Sequence, residues 1–133
     1  MGQQIIVDTS AILAVLLGEP ERDALLEATA GATLVAPGSV PWELGNALSA
    51  MVKRGRLTVA QAERVVESYA RIPIRLIDVD LAASVEVAGR FGLYAYDAYF
   101  LVTALVHRAP LLTLDAGLAR AAGAAGVRLV EVA

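Results

Sequence analysis

Apolar residues run through this chain in short blocks, and the blocks alternate between two periods. Gln4-Ile5-Ile6-Val7 is a β-branched run that stops at Asp8-Thr9-Ser10, three residues able to cap a helix, and the apolar stretch Ala11 to Leu17 follows. This pattern predicts strand, sharp turn, helix. Gly18 closes that helix, Pro20 suits the first turn of the next, and Glu21 to Thr29 carries it to Gly31. Leu34-Val35-Ala36 is a second strand, ended by Pro37-Gly38. Ser39 is placed to cap a third helix, with Pro41 in its first turn and a stripe of Leu44, Ala47, Leu48, Met51 and Val52 running to Gly55.

Thr58 and Gln61 have the spacing of a capping box and introduce a fourth helix that ends before Pro73. Ile74 to Val79 predicts a strand, and Asp80 caps a fifth helix that Gly92 stops. A strongly apolar sixth helix is expected from Asp97 to His107, then a strand Leu111 to Leu114 leading into Asp115. A short Ala-rich helix broken by Gly123 and Gly126 follows, and Val127 to Val132 completes a last strand. Short apolar strands separated by helices call for crossover connections. The fold class is therefore α/β: a parallel sheet of four to five strands, doubly wound, with helices on both faces, in a single domain spanning residues 1–133.

Composition narrows the picture. A chain of 133 residues with 57% hydrophobic and 19% charged residues is too apolar for disorder, and it is long enough to bury roughly two-thirds of its unfolded surface. No apolar run reaches the ~18 residues of a membrane span, and the N-terminus lacks the basic start and small-residue cleavage site of a secretory signal. Together with the absence of cysteine, this makes the cytoplasm the expected compartment. The net charge of −3 argues against binding a phosphate backbone by neutralisation alone, unless some of the acids are metal ligands that reverse the local field. A single lysine, Lys53, against many arginines favours bidentate phosphate contacts over point-charge ones.

In open parallel sheets ligands bind beyond the carboxyl ends of the strands, where strand order reverses. Asp8 and Asp115 each follow a strand directly, and Glu43 and Asp97 open helices expected along the same edge, so the four can converge. Taken singly, each also has an ordinary explanation as an N-cap or as a first-turn acid favoured by the helix dipole. Less ordinary is the apolar company of Asp8, Asp97 and Asp115, with no Lys or Arg adjacent. Unpaired buried carboxylates are costly, which makes a cation their natural partner. Oxygen ligands without Cys or a His cluster suit Mg²⁺ or Mn²⁺ rather than zinc, and such an ion on a carboxylate cluster serves phosphodiester chemistry. Thr9, Ser10 and Thr113 stand beside the acids, where they could orient carboxylates or simply cap.

Four motifs, Ile-Val-Asp8-Thr9-Ser10-Ala, Glu43-Leu-Gly-Asn46-Ala-Leu, Tyr96-Asp97-Ala98-Tyr99 and Leu-Leu-Thr113-Leu-Asp115, resemble in order and spacing those of the PIN-domain family, most closely its VapC-type toxins. The resemblance spans essentially the whole chain. It implies Mg²⁺- or Mn²⁺-dependent cleavage of RNA, the role of toxin in a type II toxin–antitoxin pair, homodimerisation, and inhibition by a small cognate antitoxin. Carried over, it makes Asp8, Glu43, Asp97 and Asp115 the catalytic quartet, with Asp8, Asp97 and Asp115 holding metal and Asn46 and Thr113 in support. Such toxins often carry a basic residue after the last acid, where this chain has Ala116-Gly117. Lys53, Arg54 and Arg56, together with Arg90 and Arg108, then form the best remaining basic surface, or else a solvated helix end.

Other residues admit two readings. His107, the lone histidine, is a dipole partner at a helix end or a proton carrier, and Trp42 is core, interface or a stacking surface for a base. Leu16-Leu17 and Val65-Val66 exceed the needs of one small core and suit a dimer or antitoxin groove. Two other functions compete with the nuclease. A phospho-accepting receiver domain has similar acids but needs a lysine near them, and a non-catalytic PIN-like binding subunit needs no metal.

Overall fold

The computed structural model describes residues 2–132, so the two ends of the expected domain, Met1 and Ala133, lie outside it. Its elements are β1 (Gln4–Val7), α1 (Thr9–Leu16), α2 (Arg22–Thr29), β2 (Thr33–Pro37), α3 (Val40–Lys53), α4 (Val59–Tyr69), β3 (Ile74–Ile77), α5 (Leu81–Phe91), α6 (Ala95–His107), β4 (Leu111–Leu112) and α7 (Ala116–Ala124). All strand pairs are parallel, in the order β3-β2-β1-β4. The chain steps outward from β1 through β2 to β3, then returns to lay β4 on the other side of β1. The strand order thus reverses between β1 and β4, where a doubly wound sheet opens its ligand crevice.

Parallel strands buried on both faces must be apolar at consecutive positions, and Ile5, Ile6 and Val7 are all buried. Val7, Leu34, Ile74 and Leu112 meet α1 and α2 on one face. The period of two turns Ile6, Val35 and Leu111 toward the other face, and α6 packs against β1, β2 and β4. Helix α6 is the most buried of the helices: Ala98, Phe100, Leu101, Val102, Thr103 and Ala104 are all buried. Thr103 is tolerated there because its hydroxyl donates to the Tyr99 carbonyl one turn back.

Several boundaries differ from the sequence expectation. Helix α6 begins at Ala95 with Tyr94 in the cap position, so Asp97 lies within the first turn rather than at its start. Gly123 sits inside α7, and the helix is ended by Gly126 at φ +82°, a conformation that a side chain would strain. Strand β3 stops at Ile77, whose carbonyl accepts the Gly38 N–H where β2 runs out. The last strand, Val127 to Val132, is reduced to a single parallel bridge, Leu111 to Leu129. Its partner offers only two residues, because the chain leaves the sheet at Thr113 to reach Asp8.

Helix α4 buries no residue, although the expected capping box of Thr58 and Gln61 is formed. Its Val66 is exposed and Val65 half-buried, while Leu16 and Leu17 are half-buried on α1. Core and periphery should respond differently to truncation. Phe100→Ala is expected to cost about 3–5 kcal/mol in urea unfolding, and Val66→Ala on the open face of α4 about 0.5 kcal/mol or less.

Candidate active site

Asp8 leaves β1 in extended conformation and caps α1, its Oδ1 accepting the Ala11 N–H at 3.0 Å. The capping explanation is therefore correct, but it accounts for only one of the donors that Asp8 receives. The Ser10 hydroxyl reaches both carboxylate oxygens, at 2.7 and 2.9 Å, and the Thr113 hydroxyl donates to Oδ2 from across the switch point. Each hydroxyl is itself set by the loop after β4: Leu114 N–H donates to Ser10 Oγ at 3.0 Å and Asp115 N–H to Thr113 Oγ1 at 2.9 Å. Two backbone donors are thus relayed through two hydroxyls onto one carboxylate. Ser10 has a single proton to give, so Asp8 keeps lone-pair capacity for a further partner.

Glu43 lies in the first turn of α3, held on both oxygens. Thr9 donates to Oε1 at 3.1 Å and Ser39 to Oε2 at 2.8 Å. Ser39 stands at the N-cap of α3 without a side-chain capping bond: its backbone is already in the helical region, and its hydroxyl is directed to Glu43. It is a site residue that the sequence reading missed, and its place four positions before Glu43 on one helical face was the available signal. Asp115 caps α7 through Oδ1, which accepts the Leu118 N–H at 2.9 Å. Asp97 is half-buried on α6.

Burial pushes the Asp8 carboxyl above its ordinary value, and the charge of Asp115 adds to this against the hydrogen bonds from Thr113, Ala11 and Ser10. Glu43 is raised chiefly by burial, with Asp97 and Asp8 contributing and the Ser39 and Thr9 hydroxyls opposing. Asp97 is raised by burial and by Asp115. The four acids therefore share one field, as their positions along the sheet edge predicted. Asp115 is the exception to the expected burial: it and Ala116 are exposed, and Leu114 is 38% exposed.

Among the described residues the ion pairs are Arg22 with Asp23 and Arg90 with Glu86, neither of them at the site. Repelling carboxylates with no cation against them match a hard divalent cation in donor chemistry. Among the described residues, no group of three or more acids stands placed as it is to hold a metal ion.

The expected basic surface is not brought to the acids. Lys53, Arg54 and Arg56 are exposed at the far end of α3, about 15 Å of helix rise beyond Glu43. Arg90 is engaged by Glu86 at 2.8 Å, and Arg108 lies beside Pro110, before β4, and so at the opposite edge of the sheet. His107 is half-buried in the last turn of α6, ten residues along the helix from Asp97. The position of Lys53 also leaves a receiver-type phosphorylation site without its lysine. Asn46 is exposed one turn beyond Glu43 and lines, with Thr9, Trp42, Ala47 and Tyr96, a cleft of about 310 Å³. Gly117 fits closely, since a Cβ there would stand 3.2 Å from Asp115 Oδ1.

A parallel sheet whose strand-order reversal gathers acids from the end of β1, from α3, from α6 and from the β4–α7 junction defines an α/β protein with a carboxylate cluster at its switch point. A sequence profile of the PIN domain matches residues 5–124, from β1 to the last residue of α7, and the chain belongs to the PIN-domain family. It is similar to Ribonuclease VapC3 of Mycobacterium tuberculosis, with 29% identity over 120 residues covering 90% of this chain and 88% of that protein. Two solved structures share the fold. PAE2754 from Pyrobaculum aerophilum superposes with a TM-score of 0.71 at 24% identity, covering 90% of this chain and 79% of that one. VapBC2 from Rickettsia felis, bound to a DNA fragment from their promoter, gives 0.66 at 17% identity, covering 96% and 97%.

A carboxyl with a raised folded value binds its proton more tightly in the native state, so folding is disfavoured as pH rises through the raised range. In the metal-free protein, Asp97→Asn should therefore raise Tm at pH 7. The gain should shrink as pH falls through the raised range and be gone below the ordinary value of 3.8, where the acid is protonated in the folded and unfolded chain alike. Thermal scans in chelator at both pH values measure this.

Proposed function

We propose that the chain is a Mg²⁺- or Mn²⁺-dependent endoribonuclease that hydrolyses RNA phosphodiester bonds as the toxin of a type II toxin–antitoxin pair. The observation that carries this reading is the gathering of four mutually repelling carboxylates, without a cation, at the switch point of a PIN-domain sheet. Similarity to a ribonuclease of the VapC group over most of both chains supports the substrate class.

Asp8, Asp97 and Asp115 are the residues that would hold the ion. When bound, the divalent cation supplies positive charge against the phosphate and acidifies water for attack. Asp8 is fixed in direction by Ser10 and Thr113, so it cannot swing away when the ion is lost. Glu43 keeps its carboxylate aimed through Thr9 and Ser39 and accepts the proton of the attacking water. In the reaction the water oxygen bonds to phosphorus, the bond from phosphorus to the leaving ribose oxygen breaks, and that oxygen takes up a proton.

The partners that follow are an RNA substrate and a small cognate antitoxin, the kind of assembly represented by the VapBC2 complex of Rickettsia felis. No helix among the described residues is long and apolar enough to cross a membrane. The half-buried Leu16 and Leu17 and the exposed Val66 offer apolar area to a second copy of the chain, in keeping with a homodimer, or to the antitoxin.

Asn caps helices as well as Asp does, so Asp8→Asn should fold normally while losing detectable Mg²⁺-dependent RNA cleavage. Cleavage by the purified variant at the parental rate would defeat the proposal, and absence of Mg²⁺ or Mn²⁺ binding by the parent would favour a non-catalytic binding subunit. Thr113→Val removes a positioning hydroxyl and is expected to lower metal affinity or activity roughly 10- to 100-fold, read by metal titration and by steady-state cleavage.

A further inference from the structure

The cleft beside Glu43 is walled by Trp42 and Tyr96, and the same two side chains also line a second cleft of about 440 Å³ that runs on past Ser39 to the end of β3 at Ile77. Both volumes fall within the roughly 300–1,000 Å³ of small-ligand sites. The two aromatics therefore stand as a partition between neighbouring compartments, the smaller lined by the carboxylate of Glu43 and the larger by that of Asp78. Each is the chain neighbour of a site acid, Trp42 of Glu43 and Tyr96 of Asp97. Neither is core: Trp42 is 72% and Tyr96 55% exposed. Tyr96 is steadied from within its own helix by Tyr99, edge to face with ring centres 5.9 Å apart. No Lys or Arg lines either cleft.

From this geometry we infer that Trp42 and Tyr96 hold an unpaired nucleobase of the RNA by stacking, beside Glu43. The inference rests on the ribonuclease reading and adds to it what holds the substrate. A cleft without cations cannot hold nucleic acid by neutralising its backbone, and the acids beside it repel phosphate. Aromatic faces bind any base without needing charge, and only a base outside a duplex can reach between them. The two compartments provide for bases on either side of the partition, and Glu43 in the wall of the smaller one sets the adjoining phosphate beside the acidic site.

Trp42 is the only tryptophan of the chain, so its emission reports this contact alone. Asp8→Asn protein in Mg²⁺, which should bind without cleaving, is titrated with a short oligouridylate and with a duplex RNA. Saturable quenching by the single strand and none by the duplex is expected. Trp42→Ala and Tyr96→Ala, both on exposed side chains, should raise KM about 5- to 100-fold with kcat little changed, and Trp42→Phe should restore most of the loss. Unchanged emission on adding the single strand, equal quenching by duplex, or a parental KM in both alanine variants overturns the inference. A Trp42→Ala variant that sediments as a smaller species than its parent also overturns it, because Trp42 then faces a second copy of the chain. The two readings fail separately: quenching without cleavage by the parent leaves the clamp and removes the nuclease, and cleavage without quenching does the reverse.

Discussion

The site depends on a single construction, the pair of hydroxyl relays that ties the loop after β4 to the carboxylate after β1. Leu114 and Asp115 each present a backbone N–H to a hydroxyl, and Ser10 and Thr113 pass both on to Asp8. Strand β4 has only two residues and could not by itself fix where its loop goes. The relays do so, and they carry Asp115 toward Asp8 and Asp97 although like charges oppose that approach. The same bonds favour ionised Asp8 while its burial disfavours it, so the carboxylate is held in direction and kept in need of positive charge.

Capping and the proposed catalysis draw on the same residues without conflict. Asp8 and Asp115 each satisfy an orphan N–H of the helix that follows, as any acid at a strand-to-helix junction would, and this secures their backbones. Glu43 is secured instead by Thr9 and Ser39, from α1 and from the entry to α3. The aromatic partition continues this economy. A site that concentrates negative charge cannot be lined with arginines without pairing them off against its own acids. In the proposed nuclease, neutral ring faces would leave the carboxylates free for metal while still attracting substrate.

Much of this was legible in the sequence, and the remainder was hidden for physical reasons. Continuous apolar strands separated by capped helices gave the α/β class, and Asp8 and Asp115 could be placed from their strand ends alone. The short last strand could not be foreseen, because Leu129 is strand-like by composition and only the early departure of Thr113 deprives it of a partner. Asp115 looked buried because its neighbours Leu114 and Ala116 are apolar, yet they sit on a turn at the rim. Ser39 looked like a cap, since its contact with Glu43 forms only through a choice of rotamer that periodicity does not report. Lys53 ends the helix that Glu43 opens, and Arg54 and Arg56 follow beyond it, which the sequence spacing already contained.

The central claim is that this carboxylate cluster is a metal centre, and it is tested most directly by anomalous diffraction from crystals soaked in Mn²⁺. The account predicts one or more anomalous peaks bounded by Asp8, Asp97 and Asp115, with Ser10 and Thr113 still directed at Asp8. Fully soaked crystals with no peak there, or with manganese bound only elsewhere on the surface, would contradict it.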